Sequence, residues 1–355
     1  MTNAVEERAA VELVAPRRVT PPWALGAVAA VVGAFLTGVL VGPVDIGIGE
    51  IARSALARVP LLDYETPLSP AEDAIVWELR LPRVALGALV GAMLALAGAT
   101  YQGVFRNPLA DPYLLGVAAG AGLGATIAIA YGPIGTEGSL LPLAAFVGAT
   151  AAVVGTYAIG RSLGGERTTA TLILAGVTVA AFLAAVQTFV QQQNADTLNE
   201  VYSWLLGGLS TAGWREVGLI APYVVFSSAV LLLHRRTLDV LAVGDDEARS
   251  LGLDVTRLRL VLVGCATLGT AAAVAVSGLI GFVGIVVPHI VRLAVSSSFR
   301  VILPLSAALG AAFLVLADVF ARTALAPAEL PIGVVTAFVG APFFALVLRT
   351  TRNVP

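Results

Sequence analysis

The sequence predicts an all-α membrane protein that crosses the bilayer ten times, and three observations predict it. Of the 355 residues, 58% are hydrophobic and 12% charged, with a mean hydropathy of +0.90, which excludes an ordinary soluble domain. Ten apolar runs come close to the roughly 20 residues that a helical span needs. The 21 basic residues, every one an arginine, sort unequally across those runs.

Residues 1–22 read as a disordered cytoplasmic tail ending in Pro21-Pro22. No cleavage pattern follows the first apolar run, so that run is read as a retained span. Spans are predicted at 23–43, 83–103, 113–131, 140–160, 171–193, 217–233, 258–276, 279–294, 301–321 and 332–348. The eighth is the shortest and contains Pro288, His289 and Arg292. Residues 44–82 form the longest outer segment, rich in acids, and Ile46–Val59 within it has the helical apolar spacing of an interfacial helix. Residues 194–216 form a second outer segment with a short helix around Val201–Leu206. Gly87 and Gly91, then Gly116, Gly120 and Gly124, recur every four residues, the spacing that lets helix backbones approach closely in lipid. Residues 23–350 make one helical unit.

Arginine placement fixes the number of crossings. With the N-terminus inside, ten spans put 15 arginines inside and six outside; without the eighth span the split falls to 12 and nine. The positive-inside rule therefore selects ten spans with both termini cytoplasmic. It also places a polar island, residues 234–259, in the cytoplasm. The island carries five arginines and five acids and reads as two short helices, Thr237–Gly244 and Asp245–Gly252. Thr237 and Asp245 are candidate N-caps, and each helix would end at a glycine able to take positive φ. A loop so structured points to docking of a soluble partner, with a solvated connector as the plain alternative.

Several chemistries are excluded or poorly supported. A phosphate-binding P-loop needs a lysine, and the chain has none, so it is no P-loop ATPase. Asp318 is the only acid well inside a predicted span, where proton relays use several. One cysteine, Cys265, and two histidines, His234 and His289, offer no metal-ligand cluster; a packing histidine or cap is the expected role of His289. The net charge of −2 and the lack of a basic tract give no nucleic-acid signal. Active transport would therefore draw on a partner that hydrolyses nucleotide.

Five blocks carry a family resemblance: Arg80-Leu-Pro-Arg83; Leu96-Ala-Gly-Ala-Thr-Tyr-Gln102 with Arg106-Asn-Pro-Leu-Ala-Asp-Pro112; Leu241 to Leu253; Gly281 to Leu293; and Glu329 to Thr336 with Gly340-Ala-Pro342. In this order, from about residue 23 to 350, the chain closely resembles the FecCD (BtuC-like) family of ABC importer permeases. The resemblance implies a type II importer of the bacterial or archaeal inner membrane. Two permeases, here expected as a homodimer, pair around a path, two ABC ATPases dock inside, and a binding protein delivers cargo outside. The cargo class is iron–siderophore, cobalamin or haem. The permease itself has no catalytic residues, metal or cofactor; ATP and Mg belong to the ATPase.

By the same resemblance, Leu241, Gly244, Asp245, Asp246, Glu247, Arg249, Leu251 and Gly252 form the ATPase-coupling segment, with Leu241 and Leu251 as anchors. Arg80, Arg83 and Arg322 receive acids of the binding protein, with interfacial anchoring or internal pairing, such as Asp318 with Arg322, as the plain alternative. Asn107 and Leu109 in one loop, and Thr168 and Thr169 in another, map to the inner gates. The path would run along the fifth span, where Gln187 and Gln191 to Gln193 cluster. The rival readings are a secondary transporter or channel and an intramembrane enzyme.

Overall fold

Apolar length and glycine placement between them account for the architecture. The computed structural model describes residues 18–59, 66–133, 137–162 and 169–351; the tail up to residue 17, the acids Asp63 and Glu65, and the gate residue Thr168 lie outside them. Among the described residues seven helices are long and apolar enough to cross a membrane, and three shorter apolar helices occupy the remaining predicted runs. In chain order the ten are α1 (Pro21–Leu40), α4 (Leu81–Val104), α5 (Val117–Tyr131), α6 (Glu137–Ser162), α7 (Thr169–Gln193), α9 (Trp214–Leu233), α12 (Val255–Ser277), α13 (Val283–Ala294), α14 (Phe299–Thr323) and α15 (Ile332–Thr351). The short helices between them are α2 (Ile48–Ala57), α3 (Pro70–Ala74), α8 (Leu198–Leu205), α10 (Arg235–Val243) and α11 (Asp245–Ser250).

Three helices form the centre. The most apolar stretches leading through α4, α12 and α14 are 78%, 72% and 61% buried, whereas those of α1, α6, α7 and α9 are 17–28% buried and face outward. The central contacts are backbone on backbone. A Cβ at Gly91 would strike the Gly310 carbonyl of α14, and one at Gly98 would strike Gly284 of α13. Gly120 and Gly148 approach in the same way between α5 and α6. In lipid, where burial of apolar surface between helices gains little, this close van der Waals packing is what holds helices together.

The short eighth span has a structural explanation. Its helix, α13, has 12 residues, about 18 Å of rise against a hydrocarbon core of about 30 Å. It begins at Val283 rather than at the predicted residue 279, because Gly278 (φ +65°) and Phe282 (φ +67°) turn the backbone before it. The irregular stretch between them is satisfied by protein. The Tyr113 hydroxyl donates to Ile280 O at 3.0 Å and accepts from Ile280 N at 3.2 Å. Non-helical backbone at membrane depth survives only where it is buried in this way.

The outer segments fold back onto the bundle. Ile51 of α2 is buried in a cluster with residues of α1, α4 and α14, and Ser54 is buried beside it, donating to Asp73 and accepting from Trp77 Nε1, so this helix is packed on protein along one face. Asp73 accepts both Nη atoms of Arg58 at 3.0 and 2.6 Å, the Trp77 ring lies 4.1 Å from that guanidinium, and Trp214 Nε1 donates to Trp77 O. Between α3 and α4, Ile75–Arg80 forms a π-helical turn that aims Arg80 at the end of α1.

Candidate functional site

The island folds as two short helices, as its sequence pattern predicts, but the capping differs. His234, not Thr237, is the N-cap of α10, and Gly244, not Asp245, precedes α11. Gly244 has φ 172°, an extended conformation open to any residue, so only Gly252, at φ +82°, has the left-handed geometry expected of a terminating glycine. Leu238 and Leu241, three residues apart on α10, are wholly buried in the main core. Leu241 therefore anchors the island to the bundle rather than to a partner, which corrects its expected outward role. Asp239 on the same helix pairs with Arg300 at 3.4 Å and accepts from Ser298 Oγ and Phe299 N, capping the start of α14. Its partners lie some 60 residues away, so nothing in the local sequence marked it.

Besides Arg235 and Arg236 at the start of α10, the exposed residues include a rim of Val243, Asp246, Glu247 and Arg249, continued by Leu251 just past α11. Val243 is 71% exposed and Leu251 68%, next to an Asp246–Arg249 pair at 3.0 Å. Asp245 is different. It takes Arg106 at 3.1 Å and Arg259 at 3.0 Å, so its carboxylate faces the bundle. A cavity of about 910 Å³ opens beside these residues and is bounded by Arg106, Tyr157, Arg161, Asp245 and Arg259.

Arg106 opens the loop that carries Asn107 and Leu109. Asn107 Oδ1 accepts from Leu109 N at 2.9 Å, closing a tight turn that leaves Leu109 45% exposed. Two residues on, Asp111 accepts from Tyr113 N at 2.7 Å, and burial pushes its carboxyl up to about 6 against that hydrogen bond. Of the second gate pair, Thr168 lies outside the described residues and Thr169 is the first residue of α7. In the glutamine cluster, Gln187 lies against Gly122 of α5, whereas Gln192 and Gln193 are exposed.

At the far end of the bundle the three singled-out arginines are held internally. Arg80, 3% exposed, donates to the carbonyls of Val39, Leu40 and Val44. Arg322, also 3% exposed, donates to Gly38 O and pairs with Asp318 at 3.6 Å. Together they satisfy carbonyls at the C-terminal end of α1 that lack helical partners, where positive charge is favoured. Arg83 bridges Asp318 at 2.8 Å and both Glu329 oxygens at 2.9 Å. That bidentate bond holds the Glu329 carboxyl below its ordinary range. Glu329 also borders a cavity of about 690 Å³ with Glu200, Ser203 and Trp204.

Of the two histidines, His234 Nδ1 lies 2.8 Å from Val230 O, one turn back on α9. His289 packs against the Phe343 and Phe344 rings at 6.0 and 6.3 Å, but neither ring nitrogen has a partner, so it is a packing histidine without the expected hydrogen bonds.

The signature of the FecCD transport family matches residues 30–350. The cobalamin import system permease protein BtuC of Halobacterium salinarum is 40% identical, over 92% of this chain and 95% of its own. The Fe(3+)-citrate import system permease protein YfmD of Bacillus subtilis is 39% identical, over 79% of this chain and 83% of its own. Among solved structures, an inward-facing ABC transporter of the metal-chelate type superposes with a TM-score of 0.79 at 28% identity, covering 93% of this chain and all of the other. Seven long and three shorter apolar helices, arranged as in that transporter and carrying this signature along nearly the whole chain, make it a multi-pass membrane protein of the FecCD transport family, the permease of an ABC importer.

Proposed function

We propose that this permease works as a homodimer that moves an iron–siderophore complex inward by alternating access, driven by two ATPases bound at the island. In this reading the island and both termini are cytoplasmic, and the far end receives an extracytoplasmic binding protein. The observation that carries it is the exposed rim of Asp246, Glu247, Arg249 and Leu251, standing on a helix pair whose base, Leu238 and Leu241, is locked in the core. Such a base lets a push on the rim reach the membrane helices rather than bend a loop. ATP and Mg bind the ATPase, and this chain holds no cofactor. The exposed apolar face of α7, with Leu174, Val177, Phe182 and Phe189, supports its place against the second copy and the path between the two. Of the three arginines offered to the binding protein, Arg83 is the one placed to exchange Glu329 for an incoming carboxylate; Arg80 and Arg322 hold the end of α1.

A second cargo reading, cobalamin, is favoured by the similarity to a cobalamin permease along 92% of the chain. Uptake into proteoliposomes that contain the permease, its ATPase and its binding protein separates the two, with labelled ferric siderophore, cobalamin and haem supplied in parallel. One cargo class is expected to enter only with ATP. Reversing both rim acids (Asp246→Arg with Glu247→Arg) should cut that uptake about tenfold or more, the scale of coupling between distinct sites. Uptake indifferent to ATP would overturn the importer reading in favour of a secondary transporter.

A further inference from the structure

Asp245 is the first residue of the helix that the proposed function docks to the ATPase, yet its side chain points away from the rim. Its carboxylate is 24% exposed, whereas that of Asp246, one residue on, is 95% exposed. Among the described residues, the two ion pairs that tie α11 to the rest of the chain both end on this one group. One goes to Arg259, in the second turn of the buried central helix α12. The other goes to Arg106, which immediately precedes Asn107.

Arg106 has φ +50°, a conformation uncommon for a residue with a side chain. Its guanidinium is held by Asp245, and its backbone leads directly into the turn that Asn107 Oδ1 closes on Leu109 N. A continuous chain of contacts therefore runs from α11 through Asp245 and Arg106 to Leu109. The pair is too solvent-exposed to add much to stability, with Arg106 40% exposed. The cavity alongside leaves Arg106 room to move without displacing packed side chains. Because the Asp245 carboxylate is shared, Arg259 keeps it paired when Arg106 lets go.

We infer that Asp245 is a positioning residue which carries displacement of α11 to the Asn107–Leu109 turn through Arg106. This rests on the proposed role of α11 as the ATPase-docking helix, and it assigns Asp245 to the link behind that helix rather than to the docking rim.

The test uses the complete permease–ATPase complex in lipid nanodiscs. Cys265→Ser removes the native thiol and Leu109→Cys reports on the turn through its rate of labelling by a hydrophilic maleimide, with and without ATP and vanadate. The parent is expected to label at nucleotide-dependent rates. Asp245→Asn and Arg106→Gln should each reduce that dependence about tenfold, within the usual range of coupling between sites, while the ATPase still co-purifies. The double variant should be no worse than either single one, as for two ends of one link. The inference is overturned if Asp245→Asn responds like the parent, if it loses the ATPase, or if the two losses multiply. Arg106→Gln interrogates the same link if Asp245→Asn folds poorly. A parent that binds the ATPase but labels at a rate indifferent to nucleotide overturns the inference and leaves the docking reading standing; a parent that never binds the ATPase overturns the docking reading and the inference with it.

Discussion

Asp318 carries more than its own charge at the far end of the bundle. It is 1% exposed and is shared by Arg83 and Arg322, and Arg322 in turn caps α1 through Gly38 O. Removing one member of a buried ionic group leaves the others desolvated and unpaired, at a cost of about 3 kcal/mol or more. Asp318→Ala should therefore lower the thermal stability of the purified permease by about that amount. A shift indistinguishable from zero would mean that these arginines find other anions. The arginines themselves were legible in the sequence, because they break the bias of positive charge toward one side. Of their partners the Asp318–Arg322 pair, four residues apart on one helix, was legible too, but the backbone carbonyls were not. Arg80 reaches a carbonyl 41 residues away and Arg322 one 284 residues away, and a backbone carbonyl leaves no mark in a sequence.

Among the elements, the loop between α4 and α5 departs most from a simple connector. Pro112 packs against Gly284, Tyr113 satisfies Ile280, and Asp111 is held with its carboxyl raised to about 6. The sign follows from that direction. A carboxyl raised in the folded chain keeps its proton to higher pH than in the unfolded chain, so the loop is most stable below the ordinary value of 3.8 and loses stability as pH rises through about 6. Asp111→Asn keeps the oxygen that accepts from Tyr113 N and removes the charge. Its stability gain should be nil below about pH 4, grow with pH and level off above about pH 6, at about 2 kcal/mol since the half-buried carboxylate keeps some hydration. Thermal melts of the two proteins across that range check it, and a gain independent of pH would contradict it. The elements differ in how far the sequence disclosed them. The ten runs were legible because hydropathy over 20 residues is a length measurement. The start of α13 was not, because residues 279–282 are apolar but held irregular by Tyr113. The spacing of Leu238 and Leu241 did contain the signal that α10 buries that face, since residues three apart share one side of a helix.

For the whole molecule, α4 serves as a ruler. Its third residue, Arg83, binds Glu329; two residues past its last, Arg106 binds Asp245. The helix has 24 residues, about 36 Å, so those two ion pairs stand a full membrane thickness apart. The segment at Glu329 and the island therefore belong on opposite sides, which requires α13 to complete a crossing despite its length. Two variants in a Cys265→Ser background decide it. Ala328→Cys lies in an exposed stretch and Asp246→Cys on the exposed rim. In intact cells, a membrane-impermeant maleimide should label Ala328→Cys directly and Asp246→Cys only after lysis. Equal access from one side would mean nine crossings, with 12 arginines on one side and nine on the other. The ion-pair geometry argues against that outcome independently of arginine placement. It depends on which side chains meet, whereas the positive-inside rule depends only on where charges fall in the sequence. One labelling result therefore tests both arguments.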